Sequence, residues 1–284
     1  MRLLGWTRMA GRGPFAARTP GRREGGPRLG PVGGPGERPG AWWRRPGTAL
    51  AAAAALCVFV FGAGIGGALA QPAGSAPVRL IRSVPVPVKA VALTFDDGPS
   101  PEYTPQVLAL LKEYGARATF FVVGLEIARF PGIAKEEAAA GMELGNHGFR
   151  HLSLVGLDPS TIETEVLPVE QEITAITGER PVLYRLPKGR SDSAALRALT
   201  DMGYTIVYWS IDTRDYTGRR AAATIAAQVE KQVRPGSIVI LHDGGGNRQQ
   251  TVDALRMFLP VLKKEGYQMV TVSQLLEMAQ TGAS

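Results

Sequence analysis

The sequence predicts an α/β fold for residues 88–279, a distorted, seven-stranded (β/α) barrel, on three observations. Short apolar runs alternate with stretches of amphipathic helical spacing, which implies parallel strands joined by helices packed outside them. About seven such runs occur, which favours an incomplete or distorted barrel over an open sheet. The charged motifs fall at the carboxyl ends of the runs, where the chemistry of a barrel gathers.

The chain before the barrel is of different material. Residues 1–48 hold ten Arg and two Glu, a net +8, with no Lys or Asp; the whole chain is +7, so the remainder carries about −1. The basic character belongs to this segment alone. Rich in Gly and Pro, it cannot bury a core and reads as a disordered, solvated tail, with no nucleic-acid partner expected. Residues 49–70 are 22 in a row without a charge, enough helix to cross a hydrocarbon layer of roughly 30 Å. Arg44 and Arg45 flank this run on its N-terminal side, so the positive-inside rule puts the tail in the cytoplasm and the rest outside. The expectation is a single-pass signal anchor in the cell membrane. Ala68-Leu69-Ala70 also resembles a signal-peptidase site, and cleavage near Ala70 would instead secrete the domain. The one cysteine, Cys57, lies inside the apolar run, so no disulfide can staple the exported part. Residues 71–87, with four prolines, read as a linker.

Beyond the linker, about 190 residues suffice for one domain with its own core. The strand candidates are 90–95, 118–123, 142–145, 182–185, 204–210, 237–241 and 268–271. Helical spacing covers 104–114, 127–140, 159–177, 193–202, 221–233 and 251–265, and 273–279 closes the chain. The first strand ends in Asp96-Asp97-Gly98-Pro99. Neighbours on a regular strand point to opposite faces, so one carboxylate would be buried unpaired unless the turn begins there. Both groups are therefore expected at the mouth of a cleft, where a metal ion or a buried arginine offsets their charge.

The chain has three histidines. His147 and His151 stand at i and i+4, a spacing that on a helical turn puts both imidazoles on one side and suits a metal. His242 ends the apolar run 237–241 and precedes glycines. Taken singly, each is as well read as an ordinary polar histidine. Their confinement to two motifs, beside an acidic pair, makes metal ligation and proton transfer the sharper reading.

Five ordered segments, Thr94 to Pro99 (TFDDGP), Asn146 to His151 (NHGFRH), Tyr184 to Gly189 (YRLPKG), Trp209 to Tyr216 (WSIDTRDY) and Ser237 to Asp243 (SIVILHD), resemble the polysaccharide deacetylase pattern, the NodB-homology domain of carbohydrate esterase family 4. The resemblance implies a distorted (β/α) barrel that removes N-acetyl groups from a glycan. It makes Asp96 the catalytic base and Asp97, His147 and His151 the ligands of a divalent metal. Arg185 would orient Asp96, and Asp215 would orient His242, the acid. Lys188, Tyr216 and Leu241 would shape the substrate site. By ligand type zinc fits best, with cobalt, nickel or manganese also accepted. Such a metal keeps open positions for water and the acetyl oxygen, and lowers the water's pKa toward about 7. The expected partner is an N-acetylated extracytoplasmic glycan, peptidoglycan or a chitin-like polymer of N-acetylglucosamine.

Three positions depart from the family's usual pattern. Gly148 stands where a Ser or Thr is usual between the metal histidines, Lys188 where an aromatic residue is usual, and Tyr216 where a tryptophan is usual. Ligands and proton-transfer groups are thus intact while the substrate-shaping shell is altered. Two alternatives stand beside the deacetylase reading: a noncatalytic glycan-binding module, and an O-acetyl esterase acting on xylan. Nucleotide binding is not expected, since neither GxGxxG after a strand nor GxxxxGK[ST] occurs.

Overall fold

The structure, a computed structural model, describes residues 77–281. The basic tail, the apolar run 49–70 and part of the linker lie outside the described residues. Among those described, no helix is long and apolar enough to cross a membrane.

In chain order the elements are β1 (Leu80–Ile81), β2 (Ala90–Asp96), α1 (Thr104–Glu113), β3 (Thr119–Val122), α2 (Gly124–Arg129), α3 (Pro131–Ala139), β4 (Glu143–Asn146), α4 (Pro159–Thr177), β5 (Leu183–Tyr184), α5 (Ser193–Asp201), β6 (Thr205–Val207), β7 (Ile211–Asp212), α6 (Ala222–Gln232), β8 (Ser237–His242), α7 (Gln249–Lys264), β9 (Gln268–Val270) and α8 (Val272–Thr281). The helix expected over 127–140 is instead two. Pro131, which fits only a first helical turn, ends α2 and opens α3. Three starts carry side-chain caps: Asp158 accepts from Thr161 N at 3.1 Å, Asp192 from Ala195 N at 2.8 Å and Thr271 from Gln274 N at 3.1 Å. Gly178, left-handed at φ 80°, stops α4.

All the ladders between named strands are parallel. The order is β1-β6-β5-β4-β3-β2-β8-β7, and β9 pairs with β2. β8 runs along Val91–Asp96, while β9 pairs with Ala90–Ala92 and β3 with Thr94–Asp96. Each of the seven expected runs contains a strand. The run 204–210 yields β6, and β7 comes after it, beyond Tyr208, Trp209 and Ser210. β6 bonds to β5 and β7 to β8, so β6 and β7, though successive in the chain, are joined by it and not by a ladder. The result is a parallel α/β half-barrel, consistent with a distorted (β/α) barrel. Part of the stretch read as linker joins it: β1 pairs with β6, and Val84 N donates to Gly236 O at 2.9 Å.

β2 and β8 are buried along their whole length, as parallel strands covered on both faces are. Their alternation divides the core. Val91, Leu93, Phe95, Val239 and Leu241 join the outer cluster beneath α1, α6 and α7, whereas Ala90, Ala92 and Ile238 belong to a separate inner cluster. Continuing the inner series along β2 gives Thr94 and Asp96. The register pairs Asp96 with His242, so the first and fifth motifs meet at the carboxyl end of the sheet.

Candidate active site and metal centre

Asp96 is buried at the end of β2, and its Oδ1 accepts from Arg185 Nη1 at 2.7 Å. Arg185, on the residue after β5, is itself fully buried. It also donates to Thr94 Oγ1 at 2.7 Å, Val207 O at 3.1 Å and Tyr208 O at 3.2 Å, with its guanidinium 4.1 Å from the Phe121 ring centroid. Every arm of the fork is committed, so this cation is fixed behind Asp96.

Asp97 leaves the strand. At φ 71° it is left-handed, a conformation a non-glycine residue adopts at some cost, and this breaks the alternation so that both carboxylates face one cavity. The neighbouring turn permits it. A Cβ at Gly244 would lie 2.0 Å from Asp97 O, and one at Gly245 2.6 Å from Asp97 Oδ2. Those glycines, open to reading as a mere flexible loop, are required by close approach. Arg248 holds the turn by donating to Gly244 O at 2.6 Å and Gly245 O at 2.9 Å.

His147 and His151 converge on Asp97, but not along a helix. The stretch after β4 is a loop, with Gly148 at φ 81° and His151 at φ 57°, and this path brings the rings to a centroid separation of 4.9 Å. The expected helical turn is thus corrected. Asp97 Oδ1 lies 3.5 Å from His147 Nε2 and 3.2 Å from His151 Nε2. One donor atom from each of the three residues lies within 4.8 Å of the others. His147 Nδ1 donates to Arg185 O at 2.7 Å, which orients the ring with Nε2 toward Asp97. Two imidazoles and a carboxylate, one imidazole already oriented, fit a divalent metal. Burial pushes Asp97 up, but the hydrogen bond and charge of His147, then His242 and His151, outweigh it and hold the carboxyl well below its usual range. Burial and the neighbouring His147 push His151 below an ordinary histidine, toward the neutral form a metal needs.

Across the cavity, His242 Nδ1 donates to Asp215 Oδ1 at 2.8 Å, and His242 N donates to Asp215 Oδ2 at 2.8 Å. Thr251 Oγ1 adds a bond to Oδ2 at 2.8 Å, and Thr213 Oγ1 one to Oδ1 at 3.1 Å. Burial alone would lower His242; the bond and charge of Asp215, helped by Asp96 and Asp97, outweigh it and raise it above an ordinary histidine. Asp215, pushed up by burial, ends below its usual value through His242 and Thr251.

A cavity of about 260 Å³ joins the two halves, lined by Asp96, Asp97, His147, His151, Leu186, Lys188, Gly189, Trp209, Tyr216, Ile240 and His242. Lys188 and Tyr216 stand on its wall. Leu241 does not: strand alternation turns it into the outer cluster, and Ile240 takes the place expected of it. Leu186, Gly189 and Trp209 also reach the cavity. Thr94, Thr213, Thr251 and Arg248 support the site. Sequence offered no signal for the threonines, which bond to β8 carbonyls (Thr94, Thr213) or, from α7, to Asp215 (Thr251), while Arg248 near a glycine run was a visible hint.

The profile of a family described as polysaccharide deacetylase matches residues 83–207. A peptidoglycan-N-acetylglucosamine deacetylase of Bacillus cereus is 43% identical over 195 residues, 68% of this chain and 91% of the relative. Among solved structures, the peptidoglycan N-acetylglucosamine deacetylase Bc1960 superposes with a TM-score of 0.67 at 35% identity, covering 70% of this chain and 92% of that one. A family 4 acetyl xylan esterase from Clostridium thermocellum, in complex with a cobalt ion, gives a TM-score of 0.63 at 30% identity over 67% of this chain and 91% of that one.

Proposed function

Since the chain belongs to the polysaccharide deacetylase family, we propose that it is a metal-dependent hydrolase that removes N-acetyl groups from an extracytoplasmic glycan, peptidoglycan or a chitin-like polymer of N-acetylglucosamine. The observation that carries this reading is the convergence of Asp97, His147 and His151 beside an arginine-paired Asp96 and opposite the Asp215–His242 pair.

Asp97, His147 and His151 would hold the metal, zinc by ligand type with cobalt, nickel or manganese also suited. Bound there, it supplies Lewis acidity toward the acetyl oxygen and a more acidic water. The chain's own groups do the proton work. Asp96, oriented by Arg185, accepts a proton from the water whose oxygen attacks the acetyl carbon. The backbone N–H of Lys188, a residue of the cavity wall, would donate to the carbonyl oxygen as charge develops on it. His242, kept cationic by Asp215, gives its proton to the nitrogen as the carbon–nitrogen bond breaks. Acetate and a free amine on the sugar are the products. Trp209, Tyr216 and Ile240 enclose the acetyl group.

Released acetate tests the proposal. The chain, supplied with zinc, cobalt or manganese, is expected to free acetate from N-acetylglucosamine oligomers or peptidoglycan, and chelation is expected to abolish it. No acetate with any of the three metals would count against the proposal. Faster release from acetylxylan than from N-acetylated glycans would move it to the ester reading.

A further inference from the structure

The loop carrying both histidines is held from two sides. Its carbonyls at Gly148 and Phe149 accept from the N–H groups of Gly124 and Leu125, the first residues of α2, at 3.1 and 3.0 Å. A further grip comes from α4. Glu165 Oε2 accepts from the backbone N–H of Arg150 at 2.9 Å, and Glu165 Oε1 from Arg150 Nε at 2.6 Å. One carboxylate thus binds both the main chain and the side chain of the residue before His151. That grip matters because His151 is left-handed at φ 57°, a conformation that surroundings must impose on a residue with a Cβ.

Glu165 is also out of place by burial. It is fully buried on a helix face otherwise filled by Ile162, Val166, Val169 and Ile173. A carboxylate there is costly unless it is paired. An apolar residue would pack that face without the cost, but would leave the Arg150 N–H unbonded and the loop free to relax. The same helix secures the other end of the loop, where Asn146 Nδ2 donates to Val166 O at 2.9 Å and Asn146 Oδ1 accepts from Gly148 N at 2.9 Å.

We infer that Glu165 is a positioning residue for the metal centre: by clamping Arg150 it holds His151 in the left-handed conformation that aims Nε2 at Asp97. This rests on the metal reading of that site. Zinc affinity of the metal-free protein, measured by competition with a chromophoric chelator, tests it. Glu165→Met keeps the length of the side chain and removes the acceptor. It is expected to weaken zinc binding about 10- to 100-fold, the range for loss of an outer-shell partner, and to shift the cobalt(II) absorption spectrum. Glu165→Gln, whose single amide oxygen can accept from the Arg150 N–H or from Nε but not from both, is expected to lose less than Glu165→Met but still measurably. Ile173→Ala, on the same helix but away from the loop, is expected to lower the unfolding midpoint and leave zinc affinity unchanged. A folded Glu165→Met that binds zinc as tightly as the parent, with an unchanged cobalt spectrum, overturns the inference. Should that variant not fold, parental affinity in Glu165→Gln overturns it equally. Absence of zinc binding by the parent would instead overturn the metal reading itself.

Discussion

At the scale of the residue, the site is a set of charges each held by a named partner. Arg185 stands behind Asp96 and Asp215 behind His242, and the pairs face each other across the cavity. The pH behaviour comes from the second pair. His242 lies above the ordinary imidazole value of 6.5 and Asp215 below the ordinary carboxylate value of 3.8. The stability from the raised histidine is fully present below 6.5 and is lost as pH rises through its folded value. That from the lowered aspartate is present above 3.8 and is lost as pH falls. As a general acid His242 must be protonated, so kcat/KM should fall on the alkaline side through that raised value. Asp215→Asn leaves burial as the dominant influence on His242. Its alkaline limb should move to lower pH, with kcat/KM at pH 8 reduced on the order of 100-fold. A pH profile measures both, and an unmoved limb would remove Asp215 from its assigned role.

At the scale of the element, what matters is where strands stop. β2 and β8 end in register, Asp96 beside His242, and Asp97 turns sharply enough to share their cavity. Gly244 shows how tight that junction is, since its Cβ position lies 2.0 Å from Asp97 O. Gly244→Ala must push the turn after β8 away from Asp97, an overpacking cost of about 1–3 kcal/mol. The variant should fold with a lower unfolding midpoint and bind zinc more weakly, which thermal melts and metal titration would record; an unchanged zinc affinity would mean that the junction does not set the ligand.

Strand ends were legible for a simple reason. Apolar runs that finish in Asp-Asp-Gly-Pro or His-Asp-Gly-Gly carry their own stop signals, so Asp96, Asp97 and His242 could be placed at the rim of the sheet before any geometry was known. The loop of His147 and His151 was not legible, because i,i+4 spacing carries no information on left-handed φ values. Leu241 was misplaced for the complementary reason that a one-residue shift along a strand reverses the face. The split of the 127–140 helix could have been seen at Pro131. The Thr94 and Thr251 bonds and the Glu165 clamp could not, since a hydrogen bond between separate elements leaves no trace in local spacing.

At the scale of the whole molecule, charge and apolarity are segregated along the chain: net +8 over residues 1–48, 22 uncharged residues over 49–70, and about −1 over residues 71–284. That arrangement supports a domain presented outside the membrane, where an N-acetylated wall polymer would be at hand. Protease added to intact cells making the full chain should digest the catalytic domain while the basic tail stays protected, and should do so in the membrane fraction if the apolar run is retained. Protection of the domain until the cells are lysed would place it on the other side. The domain has no cysteine, so its stability rests on the core clusters around β2 and β8 rather than on a covalent staple.

The claim beneath all of this is that Asp97, His147 and His151 together hold one divalent metal. Metal analysis of the purified protein beside His147→Ala tests it most directly. About one equivalent of zinc or a similar ion in the parent, and little in the folded variant, is the result predicted. Equal metal content in the two, or none in the parent after incubation with zinc, would contradict it.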